Sequence, residues 1–393
     1  MDRRTFFAAS SASLALSNLS YADSHGKLRI GVIGHTGRGN FGHGLDTVWQ
    51  KVPESEIVAV ADPHEKGRAA AQKRLGLDSG FADYGKMLNA VRPDIVAVCT
   101  RYPDQHLPMI LAAIEAGARG IYVEKPFCRT PAEADEITKA CNDKNVKLAI
   151  AHRNRYHPLL QVIDRMIQAG DIGNILEIRG RGKGDRRGGG EDLWVLGSHI
   201  MNLIHYFGGD PKTCSSLIRT DGRPVTKEDI KEGNEALGPL AGNEVHARYE
   251  MARGMIAYFD SIANDGTQRA GFGLRIIGSE GVIHMHCDRD PFAHLVLGNP
   301  FRATPEPQRW VAISSAGPGE QEPHQEVIQA VIDQVIPARD LIQAVLQDRA
   351  PLCSLKDATM TVEMICSVFA SHCEGGQAVS IPLIGRGNAL SRL

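Results

Sequence analysis

Between residues 28 and 151 the chain alternates five short, β-branched apolar runs with helix-patterned stretches, and this rhythm constrains the fold most. The runs lie at 28–33, 57–61, 95–99, 120–123 and 147–151, and their apolar residues are continuous rather than alternating. A strand that is apolar on both sides must be covered on both sides, which predicts an α/β Rossmann domain, a doubly wound parallel sheet between helices. Helical patterns at 65–75 and 107–116, the second stopped by Gly117, supply crossovers. Near residue 151 the rhythm changes. After a helix at 159–169 come longer alternating strands at 176–181, 245–249, 255–261, 274–278 and 281–286. They predict an α+β domain with a large, open, mostly antiparallel sheet. Helices return at 326–346 and 355–372, and the polar segment 221–240 reads as an inserted loop. The expected domains are 23–151 and 152–393.

The first 22 residues are not part of this plan. Arg3 and Arg4 precede a small apolar stretch, 8–19, without acids, and Ser20-Tyr21-Ala22 places small residues where a signal peptidase cuts. This predicts a twin-arginine signal and a periplasmic or otherwise exported protein, against the alternative of a disordered basic N-terminus. The route carries proteins already folded, so a cofactor can be loaded before export. A net charge of −2 gives no electrostatic case for nucleic acid or acidic lipid. No apolar run reaches the about 18 residues of a membrane span. The eight cysteines are scattered, without Cys-x-x-Cys pairs, and are expected as buried free thiols.

Three motifs carry chemistry. The first run leads into Gly34-His35-Thr36-Gly37-Arg38-Gly39, a G-x-G-x-x-G loop with Thr36 in place of the middle glycine. A helix opening after the loop would present free N–H groups to phosphate. Asp62 ends the second run, about 20 residues on, where a carboxylate holds ribose hydroxyls and repels a 2′-phosphate. This favours NAD over NADP; the alternative for Asp62 is a helix cap before Pro63. The fourth run ends in Glu124-Lys125-Pro126. Ligands of open parallel sheets bind at the carboxyl ends of strands, so Lys125 faces cofactor or substrate unless the tripeptide is only a solvated turn.

These motifs, followed by Asn154-Arg155-Tyr156, Gly170-Asp171-Ile172-Gly173 and Gly197-Ser198-His199, resemble the glucose–fructose oxidoreductase / inositol dehydrogenase / MocA (Gfo/Idh/MocA) family over nearly the whole mature chain. The resemblance implies an NAD(P)-dependent oxidoreductase acting on CH–OH groups of sugars or polyols, and a homo-oligomer formed through the second-domain sheet. It implies Lys125 and His199 as catalytic residues. Thr100, His106, Glu124 and Pro126 would join Lys125 and the loop residues around the cofactor. Arg153, Asn154, Arg155 and Asn202 would face substrate. Oxidising a carbinol needs a base for the hydroxyl proton while hydride leaves; histidine suits this, and a lysine can stabilise developing alkoxide.

The chain departs from the family pattern beside His199. Val195 stands four residues before it, where an Asp is common, and Asn202 replaces another Asp three residues after. Asp192 is the nearest replacement carboxylate. Arg186-Arg187 beside three glycines read either as a flexible lid for an anionic sugar or as a solvated basic loop. His284, His286 and Asp288 alternate on one strand, and a polar strand face is favoured over a metal site. The expected function is an exported, NAD-dependent sugar oxidoreductase with tightly bound, internally recycled cofactor. The alternatives are an NAD-dependent glycosidase working by oxidation, elimination and reduction, and a non-catalytic sugar-binding scaffold.

Overall fold

In the computed structural model, which describes residues 26–393, strands β1 (Leu28–Ile33), β2 (Ser55–Ala61), β3 (Ile95–Val98), β4 (Gly120–Val123) and β5 (Lys147–Ile150) form one parallel sheet. The proposed signal at 1–22 lies outside the described residues. Strand order is β2-β1-β3-β4-β5, so the chain reverses its winding between β1 and β3 and leaves a crevice at their carboxyl ends. Every residue of β3 and β4 is buried, as strands covered on both faces require. The helices are α1 (Glu65–Leu75), α2 (Tyr84–Val91), α3 (His106–Glu115) and α4 (Pro131–Asp143). Helix α1 starts at His64, whose ring accepts from the Gly67 amide, and stops at Gly76 in the left-handed conformation.

After α5 (Leu159–Ala169), the second sheet contains β6 (Ile175–Arg181), β7 (Pro211–Thr220), β8 (Glu244–Met251), β9 (Ile256–Ile262), β10 (Gly273–Gly278), β11 (Gly281–His286), β12 (Ala293–Leu297) and β13 (Val311–Ser314). Their order is β13-β12-β11-β10-β6-β9-β8-β7, antiparallel except for the β6–β9 pair. Helices α6 (Gly190–Val195), α7 (Gly197–Gly208) and α10 (Leu355–Cys373) lie between, with α7 and α10 on one face of the sheet. Along β8, Val245, Ala247, Tyr249 and Met251 are buried, while Glu244, His246, Arg248 and Glu250 point to the other, open face.

The expected helix at 326–346 is two helices, α8 (Gln325–Ile332) and α9 (Val335–Leu346), broken at Gln334 in the left-handed conformation. Helix α9 returns to the first sheet: Ala338, Leu341 and Ile342 join Ile30, Val32 and Tyr122 in one apolar cluster. The Tyr122 hydroxyl donates to Gln334 Oε1 at 2.5 Å. Among the described residues no helix is long and apolar enough to cross a membrane. All eight cysteines are free, and seven are buried.

Candidate active site

The glycine loop does not open a helix, which corrects the expected phosphate-binding helix terminus. Residues 36–39 and 41–47 are turns, and a short 3₁₀ helix, Val48–Lys51, follows. Gly37, Gly39, Gly42 and Gly44 all have positive φ, as does Asn40, and no α-helix can run through such a series. The loop closes on itself through His35 N–H to Asn40 O (3.0 Å) and Asn40 N–H to His35 O (2.9 Å). Gly39 has a second constraint: a Cβ there would lie 2.2 Å from Thr100 Oγ1 and 2.6 Å from the Arg101 amide nitrogen. The loop therefore packs on the turn after β3, at the crevice. Gly34, His35, Arg38, Ala61, Asp83 and Asp104 line a cleft of about 430 Å³ there. Asp83 and Asp104 went unnoticed in the sequence.

Asp62 is fully buried. Its carboxylate accepts from the Thr36 amide (3.2 Å), the Thr36 hydroxyl (2.5 Å) and the His64 amide (2.9 Å). It therefore ties the loop to the start of α1 rather than opening onto the cleft. The cap of α1 is His64, so Asp62 is not the helix cap of the alternative reading. Thr36 in the middle-glycine position supplies two of the three donors. Thr100 is buried, and its hydroxyl donates to Arg38 O at 2.8 Å. Arg38 itself pairs with Asp104. His106 is sealed behind the site, with ring nitrogens 2.9 Å from Phe127 O and 2.7 Å from Thr100 O. It braces the turns after β3 and β4 and makes no approach to the cleft, contrary to its expected place among cofactor contacts.

At the end of β4, Glu124 and Lys125 are both buried, which excludes the solvated turn. Glu124 Oε1 lies 2.6 Å from His43 Nδ1, while Oε2 is buried with no partner. Pro126 follows in a cis peptide. The Lys125 ammonium donates to the Val195 carbonyl at 3.3 Å. Burial lowers its pKa, with Glu124 and Glu235 opposing and Arg101 and Arg187 adding to the effect. The position that lacks the family's Asp thus meets the lysine through its backbone.

His199, on the first turn of α7, is partly buried. Its pKa is pushed well down by burial, then by His152, Lys125, Arg153 and His43. Lys125 from the first sheet and His199 from the second domain therefore converge. His152, two residues past the end of β5, was not singled out in the sequence. It is buried, its Nδ1 lies 3.4 Å from His199 Nδ1, and burial lowers its pKa to about 3. Its only sequence signal is its place at a strand's carboxyl end.

Other expectations need correction. Asp192 does not back His199: its carboxylate accepts from Ser261 Oγ (2.5 Å) and the Lys183 amide (3.1 Å). Asn202 is 1% exposed and packed against α10, near Cys353 Sγ (3.7 Å) and Thr361 Oγ1 (3.5 Å), which accounts for its amide without a substrate contact. Asn154 donates to Cys287 O at 3.3 Å. Arg155 pairs with Asp357 at 3.1 Å and lies over Tyr206. Arg153 is near enough to His199 to help lower its pKa, and its guanidinium donates to Ile332 O at 3.2 Å. The three glycines after Arg187 form no mobile lid. A Cβ at Gly188 would lie 2.0 Å from Ala263 N, and one at Gly189 2.4 Å from Gly242 O. Arg187 is held by Asp185 at 2.6 Å. The inserted loop instead folds back, bringing Glu235 within 3.9 Å of Arg101. His284 and His286 share their sheet face with His294 and Trp310. Among the described residues no group of three or more His, Cys, Asp or Glu side chains is placed to hold a metal.

A parallel sheet with a glycine loop at its winding switch, and a lysine at the end of β4, defines a dinucleotide-binding domain of the Rossmann type. Residues 28–152 match the Gfo/Idh/MocA oxidoreductase family, NAD-binding Rossmann fold. It is 25% identical over 267 residues to levoglucosan dehydrogenase of Pseudarthrobacter phenanthrenivorans, covering 61% of this chain and 66% of that protein. It is 27% identical over 192 residues to D-apiose dehydrogenase of Paraburkholderia graminis, covering 46% and 51%. The matches thus span less than two thirds of these relatives. The solved structure of levoglucosan dehydrogenase with NADH and L-sorbose has the same fold, with a TM-score of 0.73 at 21% identity over 92% of this chain and all of that one.

Proposed function

We propose that the protein is an NAD-dependent oxidoreductase that oxidises a carbinol of a sugar or sugar derivative, with His199 as general acid/base and Lys125 as its electrostatic partner. The carrying observation is the bond from Lys125 Nζ to Val195 O, which seats the lysine beside the start of α7 and brings two domains to one site. NAD fits what the residues offer: a cleft at the winding switch, glycine turns packed on Thr100, and an unpartnered Glu124 Oε2 awaiting a donor. The glycine loop, Thr100 and Glu124 would hold it, and when bound it supplies the hydride acceptor. The negative charge of Asp62 behind Thr36 favours NAD over NADP.

Burial and neighbouring cations keep His199 neutral at neutral pH, so it has a lone pair for the substrate hydroxyl proton. Lys125, held charged in a dry site, stabilises the oxygen as its proton departs. Arg153 is the remaining substrate-facing candidate. The sugar class is supported by the names of the relatives, which act on levoglucosan and D-apiose.

The same proposal includes export by the twin-arginine route, with NAD(H) held through turnover because free cofactor is scarce outside the cytoplasm. Replacing Arg3 and Arg4 with Lys should then retain the protein in the cytoplasm. A second copy covering the open sheet face would make the oligomer, measurable by light scattering. The test of function is nicotinamide fluorescence of natively purified protein mixed with levoglucosan, D-apiose, L-sorbose, cyclitols and glycosides. A sugar that changes the cofactor's redox state supports the reading; protein that carries and binds no nicotinamide ends it. A glycoside cleaved without net cofactor reduction would select the oxidation–elimination–reduction route.

A further inference from the structure

We propose that His152 is the positioning residue of His199: its Nδ1 accepts the Nδ1–H of His199, so that the Nε2 lone pair of His199 is the one offered to substrate. This rests on the reading of His199 as the base. The two Nδ1 atoms are 3.4 Å apart, the ring centroids 4.9 Å, and the rings meet edge to face at 80°. Two imidazole nitrogens in contact share one proton, one donating and the other accepting. With the proton on His152, His199 carries its own on Nε2 and has nothing to give a hydroxyl. With the proton on His199 Nδ1, Nε2 is free.

The reaction itself decides between them. As the substrate O–H bond breaks, its proton forms a bond to His199 Nε2; a bound nicotinamide would supply the acceptor for the hydride that the carbon loses. His199 is then protonated on both nitrogens, and its Nδ1–H needs an acceptor. Among the described residues, His152 Nδ1 is the one side-chain acceptor in reach. The carboxylates that could have served are elsewhere: position 195 is valine, and Asp192 is bound to Ser261 and the Lys183 amide. His152 is 2% exposed, and its Nε2 has no partner.

The titratable groups around the pair are Lys125, Arg153 and His43 toward His199, and Lys125, Asp357 and Arg155 toward His152. A neutral orienter fixes the tautomer without adding negative charge. His199, once protonated, is therefore a stronger acid than a carboxylate-backed histidine, and returns its proton readily when the reaction runs toward reduction.

The test is ¹⁵N NMR of histidine-labelled full-length holoprotein, which needs no substrate. His199 should be the Nδ1–H tautomer in wild type, shift toward Nε2–H in His152→Phe, and return in His152→Asn, which keeps an acceptor. An Nε2–H tautomer in wild type, or no change in His152→Phe, would overturn the assignment. With a sugar that reduces the bound cofactor, His152→Phe should lower kcat about a hundredfold. KM and NADH affinity should change little, and His152→Asn should recover most of the rate. Equal losses in both variants would also overturn it. If no sugar reacts, the functional reading fails while the tautomer result still decides the contact.

Discussion

Lys125→Met separates a lysine kept for chemistry from one kept for the fold. Lys125 is 7% exposed, and its ammonium makes a single 3.3 Å bond to an uncharged carbonyl. A charged hydrogen bond of this kind contributes about 1.5–3 kcal/mol. Dehydrating an ammonium costs several kcal/mol even after relaxation, so the net effect on folding is unfavourable. The direction of the pKa agrees: burial depresses it below 10.5 in the fold. The unfolded chain therefore holds the proton more tightly, and the penalty operates below the folded pKa and fades as pH rises toward 10.5. Methionine fills similar volume without the charge. We expect Lys125→Met to leave stability unchanged or raise it by about 1 kcal/mol, a Tm increase of about 1–3 °C at neutral pH that shrinks toward alkaline pH. The same variant should lose about 10²–10³ in the rate of cofactor reduction, the cost of one preorganised donor. Scanning calorimetry at several pH values and single-turnover fluorescence read the two effects. A Tm several degrees lower with turnover intact would make Lys125 a structural residue and refute the reasoning.

Other outcomes follow from the same geometry. Asp62→Ala strands the Thr36 amide and hydroxyl and the His64 amide, so it should cost about 2–5 kcal/mol in urea denaturation, together with weaker NADH binding. Tighter NADPH binding with stability unchanged would mean instead that Asp62 acts only at the ribose. Gly188→Ala drives a methyl against the Ala263 backbone and should cost more than about 3 kcal/mol or prevent soluble expression; an unchanged Tm would restore a mobile lid. His152 and His157 have pKa values lowered by burial to about 3 and about 4, from 6.5. Their contribution to stability is complete above pH 6.5 and is lost as pH falls toward those values. Stability should decline by about 1.4 kcal/mol per pH unit per ring, seen in urea midpoints from neutral to acid pH. His157→Phe should flatten that slope by one proton's worth.

The parallel sheet was legible because strands covered on both faces must be continuously apolar, and β3 and β4 are entirely so. The second sheet was legible where strands alternate, as in β8. It was missed in β7, β12 and β13, which run out of polar turns without a clear period. The helix after the glycine loop was read from the motif, yet positive φ at positions 37, 39, 42 and 44 leaves no room for one. The return of α9 to the first sheet has no local signal, since its apolar stripe fits either core. In the site, the approach of Lys125 to His199 was legible from strand-end position and resemblance. Asn202, Arg155 and His106 were misplaced because sequence gives no direction for a side chain, and each points into packing. His152 went unseen because its partner lies 47 residues away, a pairing that only the fold creates.

The central claim is that Lys125 and His199, from different domains, form one NAD-dependent redox site. Nicotinamide fluorescence of natively purified wild type, Lys125→Met and His199→Ala on addition of the sugar panel tests it most directly. All three should carry NAD, wild type should change the cofactor's redox state with at least one sugar, and neither variant should do so at a comparable rate. Reduction at the wild-type rate in both variants, or a wild-type protein that binds no nicotinamide, would contradict it.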